Sequence, residues 1–226
     1  MTIMRISIPL KAPDDVIKHL GRADHWRQGR SAKSVADCWF QANDLPPAIR
    51  AVLDQSPTFA RAEMLDAWLE RKTSLGDGRA SHSQTDLFAI LGIGDELAAL
   101  GIEAKVDESF GQIVSEWLAD GSAGKQMRLE KLCALFNVDP QTIGRLRYQL
   151  FHRTAASIIE AKRYRARKAV MIVQSFCSNA TGLSDCQVFF ETLGMPGLER
   201  DKLIGPKSFE GVELWVGWAN DTPLPE

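Results

Sequence analysis

Ser83–Val106 reads SQTDLFAILGIGDELAALGIEAKV: an apolar run, a turn, and a second run that alternates at its end. Leu87-Phe88-Ala89-Ile90-Leu91 has the length and composition of a buried strand, and Ile102, Ala104 and Val106 alternate with Glu103, Lys105 and Asp107. Gly94-Asp95 between them is a two-residue turn signal with Gly first, so the segment predicts a hairpin. Counting outward from that turn sets Ile93 opposite Glu96, Asp86 opposite Glu103 and Gln84 opposite Lys105, the last four on one face. Against this, Glu96-Leu97-Ala98-Ala99-Leu100 favours helix by intrinsic propensity.

Residues directly opposed on an antiparallel pair have Cβ atoms roughly 4.5 to 5.5 Å apart, and like charges there are destabilising. A divalent cation would offset Asp86 and Glu103. Mg²⁺ and Mn²⁺ favour hard oxygen ligands, and a lysine beside them can orient the attacking water or steady developing negative charge. The spacing therefore makes Asp86, Glu103 and Lys105 the candidate catalytic set, with Asp86 and Glu103 the candidate metal ligands.

An acid, a hairpin-length spacer and then Glu103-Ala104-Lys105 on an alternating strand resembles the PD-(D/E)xK nuclease superfamily. The resemblance implies a restriction-endonuclease-like α/β core, a mixed sheet flanked by helices, with Mg²⁺-dependent phosphodiester cleavage. It assigns metal binding to Asp86 and Glu103 and the reacting water to Lys105. Thr85 stands where the superfamily's name places proline. The text around these residues, Arg147–Thr154 and the closing Leu214-Trp215-Val216-Gly217-Trp218 also resemble an uncharacterised group of bacterial proteins of this length, which brings no activity with it.

The 226 residues, 45% hydrophobic and 25% charged, suffice for one good core. The expected layout is an N-terminal helical elaboration over residues 1–58, a nuclease-like core over 59–220 and a disordered tail over 221–226. A net charge of -2 gives no global pull toward nucleic acid or membrane, so such binding needs a local patch. No apolar run approaches the roughly 18 residues of a membrane span and no secretory signal opens the chain, which reads as cytoplasmic. Cys38, Cys133, Cys177 and Cys186 lack metal-ligand spacing and read as buried thiols.

Along the chain, Arg5–Leu10 reads as an edge-like strand, Ser31–Phe40 as a helix capped by Ser31, and Pro46-Pro47 as the start of a second helix through Leu53. Phe59–Leu69, with Met64, Leu65, Trp68 and Leu69 at helical spacing, reads as an amphipathic helix. Its Glu63 and Glu70 read as solvated, although nuclease-like folds often lend an acid from the preceding helix to the metal. The turn-rich residues 76–82 form a loop before the proposed site. Phe110–Leu118 and Met127–Phe136 read as helices. The loop between them lacks the glycine and hydroxyl of a P-loop, since Ala119 and Gln126 occupy those places. Lys168–Phe176 reads as a central strand, Val188-Phe189-Phe190 as part of a helix and Val212–Trp218 as a last strand.

Pro140 to Arg167 carries the longest helical pattern, with a polar stripe of Arg145, Gln149, Arg153, Glu160, Arg163 and Arg167. In an acidic chain this stripe is a local positive face. Arg145, Gln149, Arg153 and Arg163 are therefore the candidate nucleic-acid contacts. The sequence leads to a Mg²⁺- or Mn²⁺-dependent nuclease, with the alternative of a catalytically silent scaffold of the same fold that binds nucleic acid or a protein partner.

Overall fold

The computed structural model describes residues 10–20, 26–27, 29–77 and 82–222, so the strand expected at Arg5–Leu10 lies largely outside the described residues, as do positions 78–81 of the loop before the site. After a 3-10 segment, Pro13–His19, come helices α1 (Ser31–Ala42) and α2 (Pro47–Leu53). Three antiparallel strands follow, β1 (Glu63–Thr73), β2 (Ser83–Ile93) and β3 (Glu96–Lys105). Helices α3 (Val114–Trp117), α4 (Ala123–Phe136) and α5 (Tyr148–Arg163) then cross over to β4 (Lys168–Ser175), parallel to β3. Helix α6 (Leu183–Thr192) leads to the hairpin β5 (Lys202–Phe209) and β6 (Val212–Asn220), whose β6 pairs parallel with β4. The six strands form one mixed sheet in the order β1-β2-β3-β4-β6-β5, flanked by helices on both faces. Among the described residues no helix is long and apolar enough to cross a membrane.

Two cores back the sheet. Ala169, Met171 and Val173 of β4 face α4, α5 and α6, where Phe136, Phe151 and Phe189 pack, and Val170 and Ile172 face α1 and α2 with Trp39, Ile49 and Phe59. A strand covered on both faces reads as a continuous apolar run, which is why β4 stood out in the sequence.

The hairpin forms in the expected register from Ile93↔Glu96 to Leu87↔Ile102, with Gly94 at φ +65° in its turn. Cross-strand pairing and burial of Ala98, Ala99 and Leu100 override the helical propensity of that run. Other expectations fail. The helix expected over Phe59–Leu69 is the edge strand β1. Trp68 stacks on Phe88 on one face of the sheet and Leu69 packs into the core on the other, a two-sided burial that a helix cannot give them. Only Val114–Trp117 of Phe110–Leu118 is helical, and α5 begins at Tyr148 rather than Pro140, because Arg147 bridges back to Ile113. The first helix has Arg30, not Ser31, at its N-cap. Of the tail expected over 221–226, residues 223–226 lie outside the described residues; the Asp221 backbone N–H donates to the Ser175 carbonyl and its carboxylate accepts from Gln174. Strand β5 was not foreseen. It is an edge strand that carries Gly205-Pro206 and enters its hairpin through Glu210 and Gly211, both at positive φ.

Helix α5 lies close on the sheet because of one small residue. A Cβ built on Gly101 of β3 would stand 2.3 Å from Ser157 Oγ, while Ser157 Cβ would be an ordinary 3.5 Å away. Gly101→Ala should therefore destabilise the fold by about 1 to 3 kcal/mol through overpacking. Gly101→Ala with Ser157→Ala should recover most of that loss. Chemical denaturation of the two single variants and the double variant measures it; additive losses would show that α5 does not depend on this contact.

Candidate active site

Past Leu87↔Ile102 the sheet parts. Strand β2 stays paired with β1 as far as Thr73↔Ser83, and β3 stays paired with β4 as far as Lys105↔Ser175, but no rung joins β2 to β3 there. Asp86 stands at the fork. Its Oδ2 accepts the Ala104 N–H at 2.7 Å, filling the place of a ladder bond. Across from it in β1, between Leu69↔Leu87 and Arg71↔Thr85, Glu70 adopts φ +55°, a conformation costly for a residue with a side chain. Strand alternation breaks at this pair: Leu69 and Leu87 face the α1 side, yet Arg71 and Thr73 just beyond reach Glu160 of α5, and Ser83 reaches His152 of α5.

The fork opens a cleft of about 530 Å³ between the α1 and α5 layers. Asp86, Glu103 and Lys105 all line it, although the expected Asp86–Glu103 rung is not formed. Gln84 lines it too but does not face Lys105, because the strands have separated; its amide donates to Glu70 at 2.6 Å and to the His19 carbonyl at 3.2 Å.

Glu103, 2% exposed, is held from two sides. One oxygen accepts from Lys105 Nζ at 2.9 Å and Gln149 Nε2 at 2.5 Å, and the other pairs with Arg153 Nε. Gln149 Oε1 also accepts from Lys105 at 3.1 Å, so Gln149 ties the acid to the lysine. Lys105 lies 4.7 Å from the centre of the Phe110 ring. Burial drives the Glu103 carboxyl upward, but Arg153 and Lys105 more than offset this and hold it below its usual range. For Lys105 burial acts downward, and Glu103 with Asp86 raises it above the ordinary lysine value. For Asp86 the balance goes the other way: burial first, and Glu103 second, push its carboxyl well above the usual range, and the opposing pull of Arg153 and Lys105 does not offset them. Burial also raises Glu70.

The polar stripe of α5 is divided: Gln149, Arg153 and Glu160 turn inward, while Arg145, Arg163 and Arg167 are exposed. Gln149 and Arg153 turn into the cleft, and Arg153 also reaches Ser83 Oγ at 3.3 Å. Arg163 is paired with the buried Glu160, and exposed Arg145 sits in the turn before α5. The nucleic-acid set thus divides: two members belong to the cleft and two do not. The opposite wall was not foreseen. It comes from the α1 side, with Arg27, Arg30 and Ser31 at the cleft. Glu108, after β3, accepts from Ser31 and from the backbone N–H groups of Val106 and Asp107. Glu70, read in the sequence as a solvated helix residue, instead lines the cleft; its place across from Asp86 is visible only once β1 is a strand.

A family model described as a domain of unknown function, DUF6946, matches residues 9–223. The chain belongs to that family. No curated protein and no solved structure matches it. The match spans every element that builds the cleft, α1 included, so both walls are part of the family's own domain.

Among the described residues no group of three or more His, Cys, Asp and Glu side chains stands close enough to hold a metal ion, so the site offers at most a pair of carboxylates. A pair suits Mg²⁺, which binds through one or two carboxylates and keeps several waters. Among the described residues the lining has no Cys or His, and four acids, Glu70, Asp86, Glu103 and Glu108, face the cations Lys105 and Arg153 in its interior. The carboxyl of Asp86, raised despite Arg153 and Lys105, is what an added cation would stabilise.

The two acids should respond oppositely to neutralisation. A raised folded-state carboxyl costs stability while ionised, and the cost vanishes as pH falls through that raised value toward the ordinary 3.8. Asp86→Asn should therefore raise Tm at pH 7, with the gain shrinking in acid. Glu103 is depressed, so its stabilisation is present above about 4.5 and lost below it. Glu103→Gln leaves Arg153 and Lys105 buried without their anion and should cost about 3 to 5 kcal/mol at pH 7. Thermal melts from pH 3 to 8 check both. An Asp86→Asn protein less stable than wild type at pH 7 would mean that the Ala104 hydrogen bond outweighs the charge.

Proposed function

We propose that this protein is a divalent-cation-dependent nuclease that cleaves phosphodiester bonds in the cleft at the β2–β3 fork. The observation that carries this reading is the convergence of Asp86, Glu103 and Lys105, with Glu70 and Gln149, at one water-accessible cleft, the residue set that the PD-(D/E)xK resemblance names. Asp86 and Glu103 would hold Mg²⁺ or Mn²⁺. When bound, the cation would supply Lewis-acid polarisation of the phosphate and a more acidic water.

The chain's own residues account for the remainder. Lys105, kept protonated by Glu103 and Asp86, places a fixed positive charge where negative charge develops on the phosphate. Gln149 locks Lys105 and Glu103 in mutual register through one amide. Arg153 balances Glu103 from the α5 side and so lets the acid remain ionised while buried.

A second reading has an observation of its own. Both oxygens of Glu103 already have partners, as in a structural ion pair, and in that case the cleft binds nucleic acid or a protein partner without cleaving it.

Two variants separate the readings. Asp86→Asn should remain folded yet lose most Mn²⁺ binding in titration calorimetry and lose cleavage of DNA and RNA substrates. Lys105→Ala should keep Mn²⁺ binding but cleave at least tenfold more slowly, on the order of 1.4 kcal/mol of transition-state stabilisation. Wild-type protein that neither binds Mn²⁺ nor cleaves any substrate, or Lys105→Ala that cleaves at the wild-type rate beside an inactive Asp86→Asn control, would refute the assignment.

A further inference from the structure

We infer that the cleft admits one unpaired nucleotide strand, or a strand end, and excludes duplex. This rests on the nuclease reading for the identity of the ligand, but its physical grounds are the walls. The reacting groups lie at the floor: Glu103 and Lys105 are 2% and 4% exposed. The space above them, about 530 Å³, is that of a pocket for a single small ligand, about one nucleotide in size. It is flanked from both layers, by Gln149 and Arg153 of α5 on one side and by Arg30 and Ser31 at the start of α1 on the other.

Neither wall is loosely attached. Val35 and Ala36 of α1 are buried, Trp39 Nε1 donates to Gln174 Oε1 of β4 at 2.9 Å, and Ser31 is bonded to Glu108 at the exit of β3. The opposite wall is fixed by Arg153 on Glu103 and by the Ser83–His152 contact of 2.9 Å. A duplex is stiff over about 150 base pairs and holds its two backbones on a broad helix, so it cannot bend one backbone alone down to a floor as buried as Glu103 and Lys105. An unpaired strand turns its backbone freely, and enzymes that must bury one nucleotide act on such strands or extrude a nucleotide from the duplex. Arg27 and Arg30, both exposed at the cleft, supply the positive charge that a strand leaving it would meet.

Fluorescence anisotropy of a labelled oligonucleotide, in DNA and RNA form, alone and annealed to its complement, tests this. The protein is Asp86→Asn, with chelated wild type as a check. The single strand should bind at least tenfold tighter than the blunt duplex. Arg27→Ala with Arg30→Ala should weaken that binding and flatten its log-log salt dependence by about 0.7 per lost phosphate contact. With Mg²⁺ or Mn²⁺, the wild type should cut single strands and overhangs and leave blunt duplex intact. Equal binding or equal cleavage of duplex and single strand overturns the inference and leaves the nuclease reading standing. Preference for the single strand in binding with no cleavage of either supports the inference and removes the nuclease reading. No binding of either form overturns the inference.

Discussion

The rest of the structure is organised around one buried carboxylate. Removing Glu103 from water costs several kcal/mol, and only close, well-aligned cations and donors can offset it. Those partners come from two places, Lys105 two residues along β3 and the pair Gln149 and Arg153 on α5. Gln149 and Arg153 are four residues apart and so share one face of the helix. They reach Glu103 only if α5 lies close on β3, and the contact of Gly101 with Ser157 one turn further along sets that approach. Packing of the core and charge balance in the site are thus the same geometric requirement.

A second buried acid, on α5 itself, shows what distinguishes the cleft from ordinary structure. Glu160 is surrounded by Arg71, Thr73 and Arg163, which give both of its oxygens close partners. At the fork several costs accumulate and are only partly offset: a non-glycine residue at positive φ, a broken β-ladder, and Asp86 crowded by Glu103 and Glu70 beyond what Arg153 and Lys105 relieve. Sequences normally remove conflicts of this kind, and where they persist together they mark a place kept for chemistry or binding rather than for stability. The same contrast sets aside the cysteines. Burial pushes Cys38 up to about 12 and Cys133 to about 11, so neither is a thiolate near neutral pH.

The parts of this arrangement that were legible in the sequence are those written in local periodicity. The turn at Gly94-Asp95 fixed the register of β2 and β3, and with it the grouping of Asp86, Glu103 and Lys105, while the apolar runs of β4 and β6 announced buried central strands. Strand β1 was not legible, because Met64, Leu65, Trp68 and Leu69 satisfy a helical period by coincidence. A kinked edge strand whose two faces meet different cores has no clean period of two. The polar stripe of α5 was legible as a stripe, but not which of its members turn inward. Periodicity shows which residues share a face of a helix, but whether that face meets water or a buried acid depends on a strand some 50 residues earlier in the chain. The α1 wall is illegible for the same reason.

That wall changes what the N-terminal helices are. They were expected as an elaboration packed on the core, and Val35, Trp39 and Ile49, with Phe59 just after them, form the core on one face of the sheet, covering Leu87, Leu100 and Ile172. The cleft exists only because the sheet forks where both helical layers are present to flank the gap. Trp39 is bonded to Gln174, and Gln174 in turn to Asp221 beyond the last strand, so the position of the α1 wall depends on chain from both ends of the sequence. A ligand that touches α1 and α5 together therefore binds the assembled fold and not a substructure of it. Its binding free energy adds directly to global stability by mass action, which couples occupancy of the cleft to the integrity of both cores at once.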